Sequence, residues 1–384
     1  MKLQTPLAWL QLRREPVRLL VAVAGVAFAV ILVFMQLGFS DALYKSAVRL
    51  HERLKADLVL ISPKSLYLAG MQNFSRRRLY QVRGMDGVEG VASVYVGLAS
   101  WKNPRTGTYR RIFVTGFDPD KSVIDIAPVI ASRDTLRMPD LLLFDQASRP
   151  EFGPVAAEID ARQPVVTEVS DRRVTVVGLF KMGTSFGIDG TVMTSDLNFL
   201  RLFPGRGRGL IDIGLIKLNP GVDAERMRDR VEARLPKDVL VFTKAGFMEH
   251  EKGYWARATP IGFVFTFGAI MAVAVGGVIV YQILFTDISN HLKEYATLKA
   301  MGYTNRFLIL LVFQEAFILA LLGYVPGVGV ARWLYEVTRS ATLLPMELTV
   351  ARLVQVFIMT IGMCGVAGAM ALRKIRSADP AEIF

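Results

Sequence analysis

The sequence predicts an α-helical membrane protein with four transmembrane helices plus a large extracytoplasmic mixed α/β domain on a two-helix stalk. Three observations predict it. Four apolar runs, Leu19–Met35, Ile261–Ile283, Phe307–Val330 and Leu353–Leu372, are long enough to cross a membrane, since a hydrocarbon core of about 30 Å takes about 20 helical residues. Residues 40–258 hold no comparable run. Apolar residues at helical spacing flank that stretch at both ends. The 384 residues carry 46 Lys+Arg against 34 Asp+Glu, and 52% are hydrophobic, so disorder is excluded. A single cysteine, Cys364, excludes a disulfide framework.

Residues 1–18 form a basic, amphipathic cytoplasmic N-terminus, with Lys2, Arg13, Arg14 and Arg18 ahead of the first span at 19–39. That span is expected to stay as an uncleaved anchor, because it is longer than a signal h-region and no small-x-small site follows. Residues about 41–58 continue it as a helix, with Leu43, Ala47, Leu50 and Leu54 on one face. Residues about 244–259 form a second helix, with Phe247, Met248, Tyr254 and Trp255 as its apolar members. Two helices rising from adjacent spans are expected to pack as a stalk.

Between them lie strands at Leu58–Ile61, Val91–Ser100, Tyr109–Phe117, Arg172–Phe180 and Ile211–Leu218. The cluster Asn103-Pro104-Arg105-Thr106-Gly107 is the turn between the second and third. Asn219-Pro220-Gly221 stops the chain, a helix follows over Asp223–Leu235 and a strand over Val239–Phe242. Residues about 118–205 are richer in turn formers and are expected to be an inserted subdomain. The second span is set at 260–285, a cytoplasmic coupling segment at 286–306, the third span at 307–330, a short periplasmic loop at 331–352, the fourth span at 353–372 and a cytoplasmic tail at 373–384.

With the N-terminus inside, the inner flanks hold Lys2, Arg13, Arg14, Arg18, Lys293, Lys299, Arg306, Arg373, Lys374 and Arg376, against Arg332, Arg339 and Arg352 outside. This bias of Lys and Arg puts both termini in the cytoplasm and residues 40–258 in the periplasm. The outer domain's own surplus of basic residues does not oppose that orientation, since long domains cross regardless of charge. Nucleic-acid binding is not expected, because most exposed basic residues then face the wrong compartment.

A phosphate-binding loop ends in Gly-Lys-Ser/Thr, and this chain has no Gly-Lys dipeptide. Any ATP is hydrolysed by another polypeptide. Gly183-Thr184-Ser185-Phe186-Gly187 matches the Gly-x-Ser-x-Gly elbow of serine hydrolases, which needs a strand before it, a helix after it and a histidine partner. Here the turn Ile188-Asp189-Gly190 follows, and His51 and His250 lie on the stalk segments. A glycine-rich loop is the expected reading, and no metal site is expected either. Glu315 lies nine residues past Arg306, about 13 Å along its helix, where a carboxyl group faces protein or water. It is either a proton- or conformation-linked group, paired with Gln282 or Gln314, or a neutral interhelical contact. Small residues (Ala22, Gly25 and Ala29; Gly268, Ala272 and Gly276; Gly323 and Gly327) allow close helix approach. Because four helices alone enclose little, a homodimer is the expected assembly.

The strings HLKEYATLKAMGY (His291–Tyr303), QEA (Gln314–Ala316) and DPAEIF (Asp379–Phe384) resemble the permeases of the MacB/FtsX superfamily of ABC transporters. Leu7–Phe39 and SRPEFG (Ser148–Gly153) resemble its DevC-type members. The resemblance implies a type VII, mechanotransmission permease in the inner membrane, built as a homodimer. It also implies a stalk beneath a domain with porter-like and inserted β-rich parts. A separate DevA-like ATPase subunit would bind ATP and Mg; this chain itself holds no cofactor. A DevB-like membrane-fusion adaptor and a TolC-like outer-membrane channel would complete an export route for an amphiphile such as a glycolipid. By position, His291, Lys293, Glu294, Leu298, Lys299, Met301 and Gly302 would contact the ATPase. FtsX-like members instead control external cell-wall hydrolases, which is the alternative.

Overall fold

The structure, a computed structural model, describes residues 16–290, 297, 301 and 304–377. The chain forms two compact units. One comprises Leu43–Pro260 with Thr342–Pro345; the other comprises Met1–Ala42, Ile261–Ala341 and Met346–Phe384.

Helix α1 (Pro16–Ala47) leads through Val48 to a short α2 (Arg49–Arg53). The helix expected over 41–58 therefore ends early. Val48 leaves helical geometry at ψ 4° and Leu54 is extended at ψ 130°. The aliphatic run after it, Leu58–Ile61, forms a strand buried along its whole length. Leu43, Ala47, Leu50 and Leu54 are nevertheless all buried.

Along the chain follow β1 (Leu58–Ile61), β2 (Phe74–Ser75), α3 (Arg77–Arg83), β3 (Val88–Lys102), β4 (Tyr109–Phe117), α4 (Ala127–Ala131), β5 (Leu141–Asp145) and α5 (Val155–Asp160). Next come β6 (Val165–Val169), β7 (Arg172–Phe180), β8 (Thr191–Ser195), α6 (Asp196–Leu202), β9 (Leu210–Ile211), β10 (Ile213–Leu218), α7 (Ala224–Arg234), β11 (Leu240–Thr243) and α8 (Lys244–Gly253). Nine strands form one sheet in the order β11-β1-β10-β3-β4-β8-β5-β7-β6. Strands β11, β1, β10 and β3, with α3 and α7 as connections, make a split β-α-β-β-α-β arrangement, with β1 antiparallel to both β10 and β11.

The remaining strands close on themselves. Strand β6 returns to β3 at Trp101 and Val169, so β3, β4, β8, β5, β7 and β6 form a ring, which removes an exposed edge. Strand β3 serves both parts: Val88–Val94 pair with β10, and Val94–Lys102 pair with β4. The region 118–205 is thus not a separate body, because its strands complete a ring that begins with β3 and β4. Leu58 and Leu60 pack into one apolar core, and Val59 and Ile61 into another. With both sheet faces covered, the strand reads as a continuous aliphatic run instead of alternating.

In the other unit, α1, α9 (Pro260–Asn290), α10 (Asn305–Thr342) and α11 (Val350–Ser377) are long and apolar enough to cross a membrane. Helix α10 has 38 residues and extends well past Val330. Ala331 and Tyr335, four apart, continue its buried face. The loop expected over 331–352 is therefore only 343–349, and Arg352 belongs to α11.

The small residues are used within the chain. A Cβ added at Gly25 would lie 2.5 Å from Ile279, one at Gly268 2.5 Å from the Gln36 amide, and one at Gly276 2.5 Å from Ala29. Gly323 and Gly327 of α10 accept Val26 and Val30 of α1, at 2.5 and 2.7 Å by the same construction. Ala22, Ala29 and Ala272 are buried as well. These stripes pack the helices of one chain and need no second copy.

Candidate functional site

The segments through which the outer domain joins its spans meet in a buried polar cluster. Helix α2 supplies His51 and α8 supplies Glu251, whose side chains are only 1% and 2% exposed, with His51 Nε2 3.8 Å from Glu251 Oε2. The Leu68 backbone N–H donates to Glu251 Oε2 at 2.8 Å, and Trp255 Nε1–H donates to Oε1 at 2.9 Å. Glu251 and Trp255 stand four residues apart, which brings their side chains together on consecutive helical turns. Trp255 itself lies in a π-helical turn, Tyr254–Ala258, between α8 and α9, a departure common at functional sites. Tyr67 stacks on Tyr254 at 4.6 Å, and the His51 ring sits 4.3 Å from the Phe247 ring. Lys244 Nζ donates to the carbonyls of Glu52 and Leu54, both at 2.8 Å.

Electrostatically the cluster is poised. Burial pushes the Glu251 carboxyl up to about 7. Burial, with the neighbouring His250, lowers His51 to about 3. Each group is held toward its neutral form, because no full counter-charge repays the desolvation of either one. His250 is placed differently, with Nε2 3.3 Å from the Ser65 carbonyl.

A loop from the ring closes on the same region. Arg49 Nη1 donates to the Thr184 carbonyl at 3.1 Å, and Thr184 Oγ1 donates to the Leu343 carbonyl at 3.3 Å. Asp145, raised by burial, accepts the backbone N–H groups of Met182 and Gly183 at 3.0 and 2.7 Å. Ser185 Oγ accepts from Gly187 N at 3.3 Å and from Ile188 N at 3.1 Å. It is thus spent on its own turn, and β8 follows it where a hydrolase elbow needs a helix. Among the described residues no three His, Cys, Asp or Glu gather as a metal site.

Within the helical unit Glu315 is fully buried, and neither of its oxygens has a hydrogen-bond partner among the described residues. The expected pairing with Gln282 or Gln314 is not made; both are exposed, on other faces of their helices. Asp287 is the carboxylate whose charge reaches Glu315. It went unread in the sequence because the second span was ended at 285, whereas α9 continues to Asn290. At the other end of the bundle Arg352 pairs with Asp41 at 3.1 Å, and Tyr335 donates to the Phe34 carbonyl. Of the expected ATPase contacts, Met301 is exposed. His291, Lys293, Glu294, Leu298, Lys299 and Gly302 lie outside the described residues.

Residues 19–234, more than half of the chain, match the family model of the MacB-like periplasmic core domain. The chain belongs to that family. Residues 266–380, which carry most of α9 and all of α10 and α11, match the FtsX-like permease C-terminal domain. Together the two matches make the protein a MacB/FtsX-superfamily, ABC-type transmembrane subunit with an extracytoplasmic domain. No curated protein matches it. Among solved structures it is similar to the periplasmic region of MacB from Actinobacillus actinomycetemcomitans, at 9% identity and TM-score 0.36, over 53% of this chain and 96% of that one. It is also similar to the extracellular domain of the noncanonical ABC-type transporter YknZ from Gram-positive bacteria, at 13% identity and TM-score 0.30, over 48% and 99%. As a MacB/FtsX-superfamily subunit it has no phosphate-binding loop within these 384 residues.

Proposed function

We propose that this chain is the permease subunit of a DevC-type tripartite exporter. ATP and Mg bind to a separate DevA-like ATPase, and their turnover is converted into a shape change of the periplasmic domain. That change drives an amphiphile such as a glycolipid through a DevB-like adaptor and a TolC-like channel. The permease works as a homodimer in the inner membrane with both termini cytoplasmic. Basic residues support the orientation, since residues 343–349, the segment between α10 and α11, hold no Lys or Arg.

The observation that carries this reading is the buried His51–Glu251–Trp255 cluster. It joins α2 and α8, the two segments by which the outer domain is attached to its spans. Within the outer domain this cluster ties α2 to α8, so a displacement of either segment is felt by the other, because packed interiors transmit strain. No solute path between the helices is required by this design.

Purification of the intact chain in mild detergent, with any ATPase subunit that copurifies identified by mass spectrometry, tests the proposal. A stable complex whose ATPase rate responds to added adaptor supports it. A chain that binds no ATPase removes it, and one that binds an ATPase and a cell-wall hydrolase instead of an adaptor replaces export with regulation.

A further inference from the structure

We propose that Glu315 is a proton-binding site inside the helix bundle, with Asp287 as its charge neighbour; this rests on the helical unit alone and stands or falls apart from the export reading. Glu315 is 0% exposed and both of its oxygens lack hydrogen-bond partners among the described residues. Its surroundings are apolar. Helix α11 presents Gly368, where an added Cβ would meet Ala316 at 3.5 Å, Leu284 at 3.7 Å and Val312 at 3.8 Å.

The charged groups facing it come from two helices. Asp287 of α9, 7% exposed, is the one whose charge reaches it. Arg18 of α1 lies 4.0 Å from Asp287 Oδ1 and also donates to the side-chain oxygen of Asn290, at 2.9 and 2.7 Å. On α11 the Cys364 thiol, one turn from Gly368, is buried.

Arg18 thus stands at Asp287, and no hydrogen bond reaches Glu315 from any described residue. A second bare carboxylate in the same apolar space costs several kcal/mol, because nothing replaces its lost hydration. Taking up a proton removes that charge. The step is simple acid–base chemistry: the Glu315 carboxylate takes a proton from solvent and becomes a carboxylic acid, while Asp287 keeps its contact with Arg18. Any motion that parts α10 from α9 admits water, makes ionisation cheap and releases the proton. Repacking takes it up again. Motion of the bundle is in this way linked to proton uptake and release.

The test uses the intact chain in detergent and dicyclohexylcarbodiimide, an apolar reagent selective for protonated carboxyl groups. The acid O–H adds across one N=C bond, oxygen to carbon and proton to nitrogen, and the adduct rearranges to a stable N-acylurea with nothing leaving. Peptide mass spectrometry is expected to place the label on Glu315 and not on Asp287. Yield should fall at least about tenfold between about pH 6 and about pH 9, because only the protonated acid reacts. Asp287→Asn should move that loss to lower pH; an unchanged profile removes Asp287 from the site. An unlabelled Glu315, or labelling indifferent to pH, overturns the proposal. Infrared spectroscopy gives a second reading. A carboxylic-acid carbonyl band lost as pH rises and missing from Glu315→Gln, which leaves the Glu251 acid in place, supports the proposal, and a band unchanged in Glu315→Gln overturns it.

Discussion

The paired shifts at His51 and Glu251 make a prediction that can be worked through in numbers. Unfolded, His51 titrates at 6.5 and Glu251 at 4.5; folded, they titrate at about 3 and about 7. For the histidine, the unfolded chain binds more protons between those limits, so its contribution to stability is lost as pH falls from 6.5 toward 3. At about 1.4 kcal/mol per unit this amounts to roughly 5 kcal/mol. For the glutamate, the folded chain binds the extra proton, so stability is lost as pH rises from 4.5 toward 7. That amounts to roughly 3 kcal/mol. Between pH 4.5 and 6.5 the two effects cancel, because folded and unfolded chains each hold one proton on the pair, on the glutamate in one and on the histidine in the other.

Wild-type stability is therefore expected to be nearly flat across that window with respect to these groups, and the single variants are not. His51→Leu keeps only the glutamate slope and weakens toward neutral pH. Glu251→Gln keeps only the histidine slope and weakens toward acid. Pulse proteolysis of the intact protein in detergent, following survival of the outer domain over a pH series, gives both slopes. Variant slopes of the wrong sign, or variants as flat as the wild type, would refute the burial argument.

Gly323→Leu drives a side chain into Val26 and should cost at least about 1–3 kcal/mol, read as a lower Tm in detergent; Gly329→Ala, with open space around it, should change little. Ser185→Ala removes a hydroxyl that only caps its own turn and should cost about 1 kcal/mol or less while leaving transport intact, so abolished transport in a folded variant would restore a catalytic serine. Charge reversal at both Glu294 and Lys299 should lower stimulation of the partner ATPase by about tenfold, roughly 1.4 kcal/mol of coupling, without altering Tm; wild-type stimulation would clear that segment of the role.

Much of the outer domain was legible because its strands carry their own alternation. Tyr109–Phe117 and Arg172–Phe180 form over the very residues the pattern marks, and Asp223 caps the helix it was expected to begin, its carboxylate accepting from Arg226 N. What pattern could not show was pairing. Nothing local in β3 says that its first half belongs to β10 and its second half to β4, or that β6 comes back to Trp101. The helix expected through residue 58 failed for a related reason, since Leu54 and Leu58 satisfy a helical period while the sheet core claims Leu58 on β1. At the candidate site, His51 was visible but its partner was not, because Glu251 lies 200 positions away and reads as one more charged residue on a helix.

The sequence by itself determined that four helices enter the membrane, that a mixed α/β domain lies between the first and second, and that no phosphate loop sits in these residues, because length, hydropathy and motif are local properties. Only the tertiary structure decided which charges are buried and with whom. It set Glu251 against His51, Arg18 beside Asp287, and left Glu315 with no hydrogen-bond partner among the described residues. The cost of a buried charge depends on what surrounds it in space, and no one-dimensional pattern carries that.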